Sequence, residues 1–223
     1  MAGSADAVSW EANGSGNPRA ALAGGGRVMP RSLLLANGSL LVNFDQAYQL
    51  RDVYYPHIAQ ENHTLGGTSR VGVWVDESFS WLSDWPLDLR YEPDALVTDV
   101  RGARPDLGLD VRLTDAVDFD SNVLVRQLTV HNQRPVGRTV RLFVHLDPYL
   151  GETAFGNAAY FDATRRTITC HKGNRFLLIG SEPAPTQYAV GRKGSQLEGV
   201  WRDAEDGVLS NNATATGTSG IVR

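Results

Sequence analysis

The sequence predicts an all-β protein, and three observations on its 223 residues favour this fold class. Several long segments alternate apolar and polar residues with a period of two, as in RTVRLFVHLDPYL at 138–150, which places one face of a strand on a core. Turn-forming residues separate these segments, for example Asp120-Ser121-Asn122. No long segment shows the 3.6-residue apolar period of an amphipathic helix. Large antiparallel sheets stacked face to face are the architecture that this pattern favours.

The chain begins with residues 1–28, which are rich in Gly, Ala, Ser and Asn and contain little that a core could bury. We expect this segment to be a flexible N-terminal extension. From Ser32, the run SLLLA, the pair Asn37-Gly38 and the run SLLVNFD predict a hairpin whose Asn-Gly pair forms a type I′ turn. The run QLRDVYY at 49–55 predicts a third strand.

A second hairpin is predicted from SRVGVWV at 69–75 and SFSWL at 78–82, with Asp76-Glu77 as its turn. Its aromatic residues are expected to supply much of one sheet face, as core or domain-contact groups rather than as sugar platforms: Trp74, Phe79 and Trp81.

The remainder of the chain reads as an irregular connector followed by further strands. Residues 83–94 contain Trp85, Pro86 and Pro93 and are interpreted as the connector. The final segment, 210–223, is polar and reads as a loop that runs into an unfinished strand. Extended segments between these two are predicted at 95–101, 107–120, 122–133, 138–150, 158–162, 166–173, 174–182 and 186–193.

Composition excludes several classes of function. The net charge is −4, from 21 basic and 25 acidic residues, and no basic stripe suggests nucleic-acid binding. The single cysteine, Cys170, lies in a predicted strand and is interpreted as a buried, inert thiol. No apolar run is long enough to span a bilayer. Asp6 and Glu11 stand where a secretory signal carries basic residues, so we expect an intracellular, cytoplasmic protein of bacterial type.

One polar stretch interrupts the strands and is the candidate functional site. It runs from Arg51 to Thr64 and reads RDVYYPHIAQENHT. Pro56 removes a backbone donor, so ladder pairing is expected to stop there and leave a loop. The loop residues either hold polar groups against a partner surface or a sugar, or form an ordinary solvated turn. The candidate residues are Tyr54, Tyr55, Pro56, His57, Asn62, His63 and Thr64.

No constellation of residues singles itself out as catalytic, metal-binding or cofactor-binding. His57 and His63 share the polar loop but match no common metal-ligand spacing, and His131 and His145 are interpreted as structural or surface groups. The run DAEDG at 203–207 lacks the ligand spacing of a calcium loop. No pair of carboxylates is flanked in a way that suggests glycoside hydrolysis within this chain. We therefore predict no catalytic residue, metal or cofactor.

Several stretches in the same order resemble the start of bacterial and archaeal glycoside hydrolase family 15 proteins, which are glucoamylase-like enzymes. The resemblance covers about residues 29–210 and is carried by MPRSLLLANGSLLVNFD, RDVYYPHIAQENHT, SRVGVWVDESFSWLSDW, VRQLTVHNQ, VRLFVHLDPYL, AAYFD, CHKGNRFLLIG and WRDAEDGVLS.

This resemblance implies that residues 29–223 form a large two-sheet antiparallel supersandwich of the galactose mutarotase-like type, truncated at its C-terminal end. It also implies a missing (α/α)6 catalytic barrel, which would carry both catalytic glutamates and hydrolyse α-glucosidic bonds with inversion and without a cofactor. No catalytic residue carries over to this chain. The candidate residues of the polar loop are expected to face the barrel and to help build the rim of its active site.

Three functions remain open from the sequence. The first is a non-catalytic N-terminal domain that braces the catalytic barrel and shapes its entrance, with the missing barrel and an α-glucan oligosaccharide as partners. The second is a stand-alone carbohydrate-binding module, which would require aromatic side chains that face solvent. The third is a small hydrolase that uses carboxylates of its own.

Overall fold

The computed structural model describes residues 31–65, 67, 69–153, 155–192, 201–216 and 218–222, the last of these as backbone only. The expected flexible extension at 1–28 lies outside the described residues. Over the described part, the chain forms strands and three short 3-10 turns at Leu82–Asp84, Leu150–Glu152 and Trp201–Ala204, and no α-helix. The strands are β1 (Arg31–Ala36), β2 (Leu41–Asp45), β3 (Leu50–Tyr54), β4 (Arg70–Val75), β5 (Ser78–Trp81), β6 (Leu87–Tyr91), β7 (Thr98–Arg104), β8 (Leu109–Val117), β9 (Leu124–Asn132), β10 (Val140–Leu146), β11 (Ala158–Asp162), β12 (Thr167–Lys172), β13 (Arg175–Ile179), β14 (Tyr188–Arg192), β15 (Thr214–Thr216) and β16 (Thr218–Val222).

The strands form four antiparallel sheets, which confirms the all-β prediction. Their orders are β1-β2-β3, β14-β16-β10-β4-β5, β13-β12-β11-β15 and β6-β7-β8-β9. Every strand pair with a defined register is antiparallel, as expected for sheets built from successive hairpins. The sheets pack against one another as a β-sandwich around shared apolar cores.

The central strands β4 and β10 supply side chains to both sides of their sheet. Val71, Val73 and Val75 of β4 point into a core shared with β1, β2, β3, β7 and β8. The opposite face carries Trp74 and, on β10, Phe143, and packs on the segment 201–209. A strand covered on both faces matches the near-continuous apolar run of its sequence.

The predicted aromatic face of the second hairpin is confirmed. Trp74 lies opposite Phe79 in the register of β4 and β5, and the ring centroids of Phe79 and Trp81 are 4.8 Å apart. Gly72 makes room for these rings, because a Cβ atom there would lie 2.6 Å from Cζ of Phe79. Trp81 is buried, and Arg141 stacks over Trp74 at 4.2 Å. These aromatic groups therefore belong to a core.

The prediction of a type I′ turn at Asn37-Gly38 is wrong. Ala36 pairs with Leu41, so the loop has four residues, and Gly38 has a positive φ of 101° whereas Asn37 does not. The Asn37 side chain instead accepts hydrogen bonds from the backbone N–H groups of Ser39 and Leu40, at 3.2 and 2.9 Å. A side chain that bonds the backbone two residues ahead competes with the tighter turn.

The two-residue turn of type I′ geometry lies in the second hairpin. Asp76 and Glu77 have φ values of 48° and 61°, and Val75 pairs with Ser78 across them. The Asp76 carboxylate accepts hydrogen bonds from Arg134 and Arg138, at 2.9 and 2.8 Å. Positive φ at both central residues matches the right-handed twist of the flanking strands.

The interpretation of residues 83–94 as an irregular connector is also wrong in part. Leu87–Tyr91 form β6, which pairs along its length with β7. The strand reads LDLRY and alternates apolar and polar residues, but it has only five residues and stands between Pro86 and Pro93. Tyr91 anchors its end, since the hydroxyl accepts from the Leu34 N–H at 2.7 Å and donates to the Leu34 carbonyl at 2.9 Å.

The single cysteine lies where the sequence placed it. Cys170 is buried on β12, and burial raises the pKa of its thiol to about 12. A thiol that stays protonated at neutral pH is a poor nucleophile, which agrees with the predicted inert role.

Candidate functional site

The polar loop begins where β3 ends. β3 stops at Tyr54, and the Tyr55-Pro56 peptide bond that follows is cis, so the prediction that pairing ends at the proline is confirmed. Tyr54 still forms one isolated antiparallel bridge with Asn62. The Tyr55 N–H donates to the Glu61 carbonyl at 3.4 Å. The loop therefore folds back on itself, and the residues at its two ends lie side by side.

Asn62 is the hub of the base of this loop. Its Oδ1 accepts hydrogen bonds from the backbone N–H groups of Val53 and Thr64, at 3.2 and 3.1 Å. Its Nδ2 donates to Oδ1 of Asp52 at 2.9 Å. The Thr64 hydroxyl donates to the Arg51 carbonyl at 2.5 Å. Asn62 and Thr64 are 9% and 0% exposed, so their polar atoms are used inside the protein.

Asp52 extends this network to β1. Its Oδ1 also accepts from Nη2 of Arg31 at 2.9 Å, and Nε of Arg31 contacts the second carboxylate oxygen. Burial raises the pKa of Asp52, but hydrogen bonds from Arg31 and Asn62 outweigh it and hold the pKa below its usual range. The ionised carboxylate therefore stabilises the base of the loop.

His63 connects the loop to the connection after β10. Its Nε2 lies 2.7 Å from the Tyr55 carbonyl oxygen, and its Nδ1 accepts from the Gly151 N–H at 3.2 Å. These two partners assign the neutral tautomer with the proton on Nε2. Nδ1 also lies 4.0 Å from Oε1 of Glu61, but an unprotonated nitrogen makes no ion pair with it. The Tyr149 N–H donates to the His63 carbonyl at 2.6 Å.

Two carboxylates fix the loop to distant parts of the chain. Arg175 of β13 forms a bidentate ion pair with Glu61, in which Nε donates to Oε1 at 3.0 Å and Nη2 donates to Oε2 at 2.7 Å. The hydrogen bond from Arg175 lowers the pKa of Glu61. Glu152 accepts from the Asn62 N–H at 3.0 Å. The loop thus joins β3 to the sheet of β11, β12 and β13.

The tip of the loop, residues 57–60, is exposed. Ile58 at the tip is 36% exposed, and Leu65, just beyond the base, is 52% exposed. Phe155 is 90% exposed and lies on the connection that Glu152 ties to the base. Exposed apolar and polar side chains therefore occur on the loop, just beyond it and on the connection bonded to its base. Such a combination is typical of contact surfaces.

The seven predicted site residues occupy three different environments. Asn62, His63 and Thr64 are buried in the base and bonded internally. Only His57 is exposed. The half-buried remainder, between base and tip, comprises Tyr54, Tyr55 and Pro56. Tyr54 ends β3 and the other six lie in the loop that follows, and a ligand could reach the tip far more easily than the base.

Sequence reasoning missed the partners that hold the loop. Arg175 lies 114 residues from Glu61, and Glu152 lies 90 residues from Asn62. Glu152 belongs to none of the stretches that carry the resemblance, Arg175 lies in CHKGNRFLLIG without being singled out there, and one sequence contains no signal that pairs positions so far apart.

Neither a metal-ligand group nor a membrane-spanning helix is found among the described residues. Among them, no three His, Cys, Asp or Glu side chains are grouped so that they could hold a metal ion. A search of the same residues finds no helix of the length and apolarity that a membrane crossing requires.

Comparison with solved structures finds this fold in a bacterial enzyme. The chain is similar to the crystal structure of a bacterial glucoamylase complexed with acarbose, with a TM-score of 0.74 and 11% sequence identity. The match covers 86% of this chain and 30% of the glucoamylase chain. No protein-family model matches the chain, and no curated protein matches it. The chain therefore has a glucoamylase-like β-sandwich fold and spans less than a third of that structure.

Proposed function

We propose that this chain is the non-catalytic N-terminal domain of a glucoamylase-like glycoside hydrolase, which braces a catalytic barrel and shapes its active-site entrance. The observation that carries the proposal is the fold match, which extends over 86% of this chain but only 30% of a bacterial glucoamylase. The rest of such an enzyme would supply the catalytic acids, since no catalytic constellation is evident in this sequence.

The polar loop supports the proposal because it combines a fixed base with an exposed tip. Hydrogen bonds from Asn62 and His63 and the Glu61–Arg175 ion pair hold the base in one geometry. A contact surface that is already ordered loses little conformational entropy when its partner docks. The contact that we propose consists of the tip, 57–60, together with Leu65 and Phe155.

An activity assay of this chain tests its non-catalytic character. We expect no glucose release from maltooligosaccharides, because no pair of carboxylates in the sequence is flanked in a way that suggests glycoside hydrolysis. Glucose release that co-purifies with the chain and follows its concentration would contradict the proposal and favour a small hydrolase.

The bracing role is tested in the longer protein that is obtained by following the gene's reading frame beyond codon 223. That frame is expected to encode a helical barrel. Leu65→Asp would place a charge in the domain contact and lower kcat/KM or release the barrel. Leu96→Asp is the matched control, since Leu96 is 51% exposed and Leu65 is 52% exposed.

A second matched pair checks the connection beside the loop. Phe155→Asp is expected to weaken the barrel contact, whereas Phe119→Asp, at a residue 86% exposed between β8 and β9, is expected to leave it intact. Equal behaviour of the two members in both pairs would rule out this surface as the domain contact, and a frame without a barrel would overturn the proposal itself.

A further inference from the structure

The outer face of the sheet β13-β12-β11-β15 carries a row of aromatic side chains. Its inner face packs Ala159, Ile168 and Cys170 into a core. On the outer face, the ring centroids of Tyr160 and His171 are 6.0 Å apart. The rings of His171 and Phe176 are stacked, with centroids also 6.0 Å apart. Because these residues lie on β11, β12 and β13, the rings cross three neighbouring strands.

These rings are accessible from solvent. Tyr160 is 38% exposed and Phe176 is 60% exposed. Strand alternation accounts for this position, since the residues before and after Tyr160 on β11 are a buried alanine and a half-buried phenylalanine that turn to the inner side. A carbohydrate-binding module requires aromatic side chains that face solvent, and this aromatic row meets that requirement.

A groove of about 720 Å³ lies beside the row. Tyr160 and His171 form part of its lining, with Arg192, Asn212, Thr214 and Thr216 also around it. Small hydroxyl side chains leave the groove open while offering both donors and acceptors. Among the described residues of the lining there is no carboxylate, which disfavours a cation as the occupant. Its volume lies in the range of ligand pockets.

Three of the polar side chains at the groove are not committed to the fold, whereas the Asn212 amide donates to the Val190 carbonyl. Within the described part of the chain, the side chains of Tyr160, His171 and Arg192 make no hydrogen bond and no ion pair. These groups therefore stay hydrated in the free protein and can donate to or accept from a bound molecule without first breaking an internal bond.

We propose that this groove binds a neutral oligosaccharide. The C–H face of a sugar ring carries slight positive charge and packs well on the negative face of an aromatic ring. Sugar hydroxyls match the Thr214 and Thr216 hydroxyls, the Asn212 Oδ1 atom and the Arg192 guanidinium as hydrogen-bond partners. The described part of the lining carries one guanidinium, which is too little charge for a polyanion. The site goes beyond the proposed domain role and does not depend on it.

Titration of the whole chain with defined sugars tests this site. Maltohexaose, cellohexaose and inorganic phosphate are added separately at millimolar concentrations, and binding is followed by calorimetry and by the ¹⁵N resonances of the His171 ring. At least one hexasaccharide is expected to give saturable heats and shifts. Tyr160→Ala is expected to weaken this binding about tenfold or more, because it removes a stacking surface.

Two further variants separate loss of the ring from other effects. Tyr160→Phe keeps the ring and is expected to keep most of the affinity. Phe119→Ala removes an aromatic side chain that is 86% exposed in the loop after β8 and is expected to bind as the unchanged chain does. Thermal melts of all variants show that each is folded.

One outcome supports the proposal and three would overturn it. Hexasaccharide binding that depends on the Tyr160 ring supports the proposal. It is overturned if neither hexasaccharide binds, if Tyr160→Ala binds as tightly as the unchanged chain, or if phosphate alone perturbs His171. The last result would show a simple anion site at Arg192.

Discussion

The base and the tip of the polar loop are a few residues apart, yet their side chains have opposite environments. At the base, Asn62, His63 and Thr64 are 9%, 4% and 0% exposed, and each uses its side-chain polar atoms on internal partners. At the tip, residues 57–60 are exposed. The base therefore belongs to the fold, and the tip is available to a partner.

The difference shows that polarity in a sequence does not by itself mark a surface. A buried polar group costs free energy unless it is hydrogen-bonded, so a polar run can be as structural as an apolar one. In this loop, the amide of Asn62 replaces a missing stretch of strand ladder by accepting from the Val53 and Thr64 N–H groups. The following predictions test this division between base and tip, from the largest expected effect to the smallest.

Asn62→Ala is expected to have the largest effect. It leaves two buried backbone donors without an acceptor and removes a donor to Asp52. We expect the free energy of unfolding to fall by about 3 kcal/mol, measured by urea denaturation. Gln60→Ala is the control at the exposed tip of the same loop and is expected to shift the midpoint very little. Equal midpoints for the two variants would abolish the distinction between base and tip.

His63→Ala is expected to have the next largest effect. It removes the bond to the Tyr55 carbonyl and leaves the Gly151 N–H without its acceptor. We expect a loss of about 2 kcal/mol in the free energy of unfolding. His57→Ala removes the other histidine of the loop, which is exposed, and serves as the matched control. A loss as large for His57 as for His63 would mean that the tip is also part of the fold.

The pH dependence of stability should report the carboxylate at the base. The pKa of Asp52 is lower in the folded protein than its ordinary value. Its stabilisation is therefore present above the ordinary Asp pKa of about 3.9 and is lost as the pH falls through the lower folded pKa. Asp52→Asn is expected to flatten the fall of stability in this acid range, measured by urea denaturation at several pH values. An unchanged slope would show that the Arg31 and Asn62 bonds do not favour the ionised form.

Much of the fold could be predicted from the sequence because it depends on local patterns. Alternation placed β8, β9 and β10 correctly, and the apolar run with two glycines nearby placed β4 and its hairpin partner. The turn at Asn37 was misjudged because its side chain forms a backbone bond that competes with the type I′ turn. Strand β6 was missed although LDLRY alternates, because an alternating run of only five residues between two prolines is easily taken for a connector.

The position of the polar loop was predictable from the sequence, but its architecture was not. Pro56 predicts that strand pairing stops, and β3 ends at Tyr54, two residues before it. The burial of its base depends on Arg175 and Glu152, which reach the loop from 114 and 90 residues away. Contacts of that range are set by how the sheets stack, and stacking is a property of the whole chain rather than of any one segment.

The smallest effect is expected at the tip itself. Ile58 is 36% exposed, so Ile58→Asp buries no charge in the isolated chain. We expect the free energy of unfolding to change by about 0.5 kcal/mol or less, measured by urea denaturation beside Val53→Asp, which places the same charge at a position 6% exposed in β3 and should prevent folding.

A loss above about 1 kcal/mol for Ile58→Asp would contradict the comparison, because it would show that the tip packs on its own chain. If Ile58→Asp leaves the free energy of unfolding unchanged, the apolar surface of the tip does not contribute to the stability of the fold. In that case, any effect of Ile58→Asp on the activity of a larger protein arises from a contact with another domain or with substrate, since the stability of this domain is unchanged.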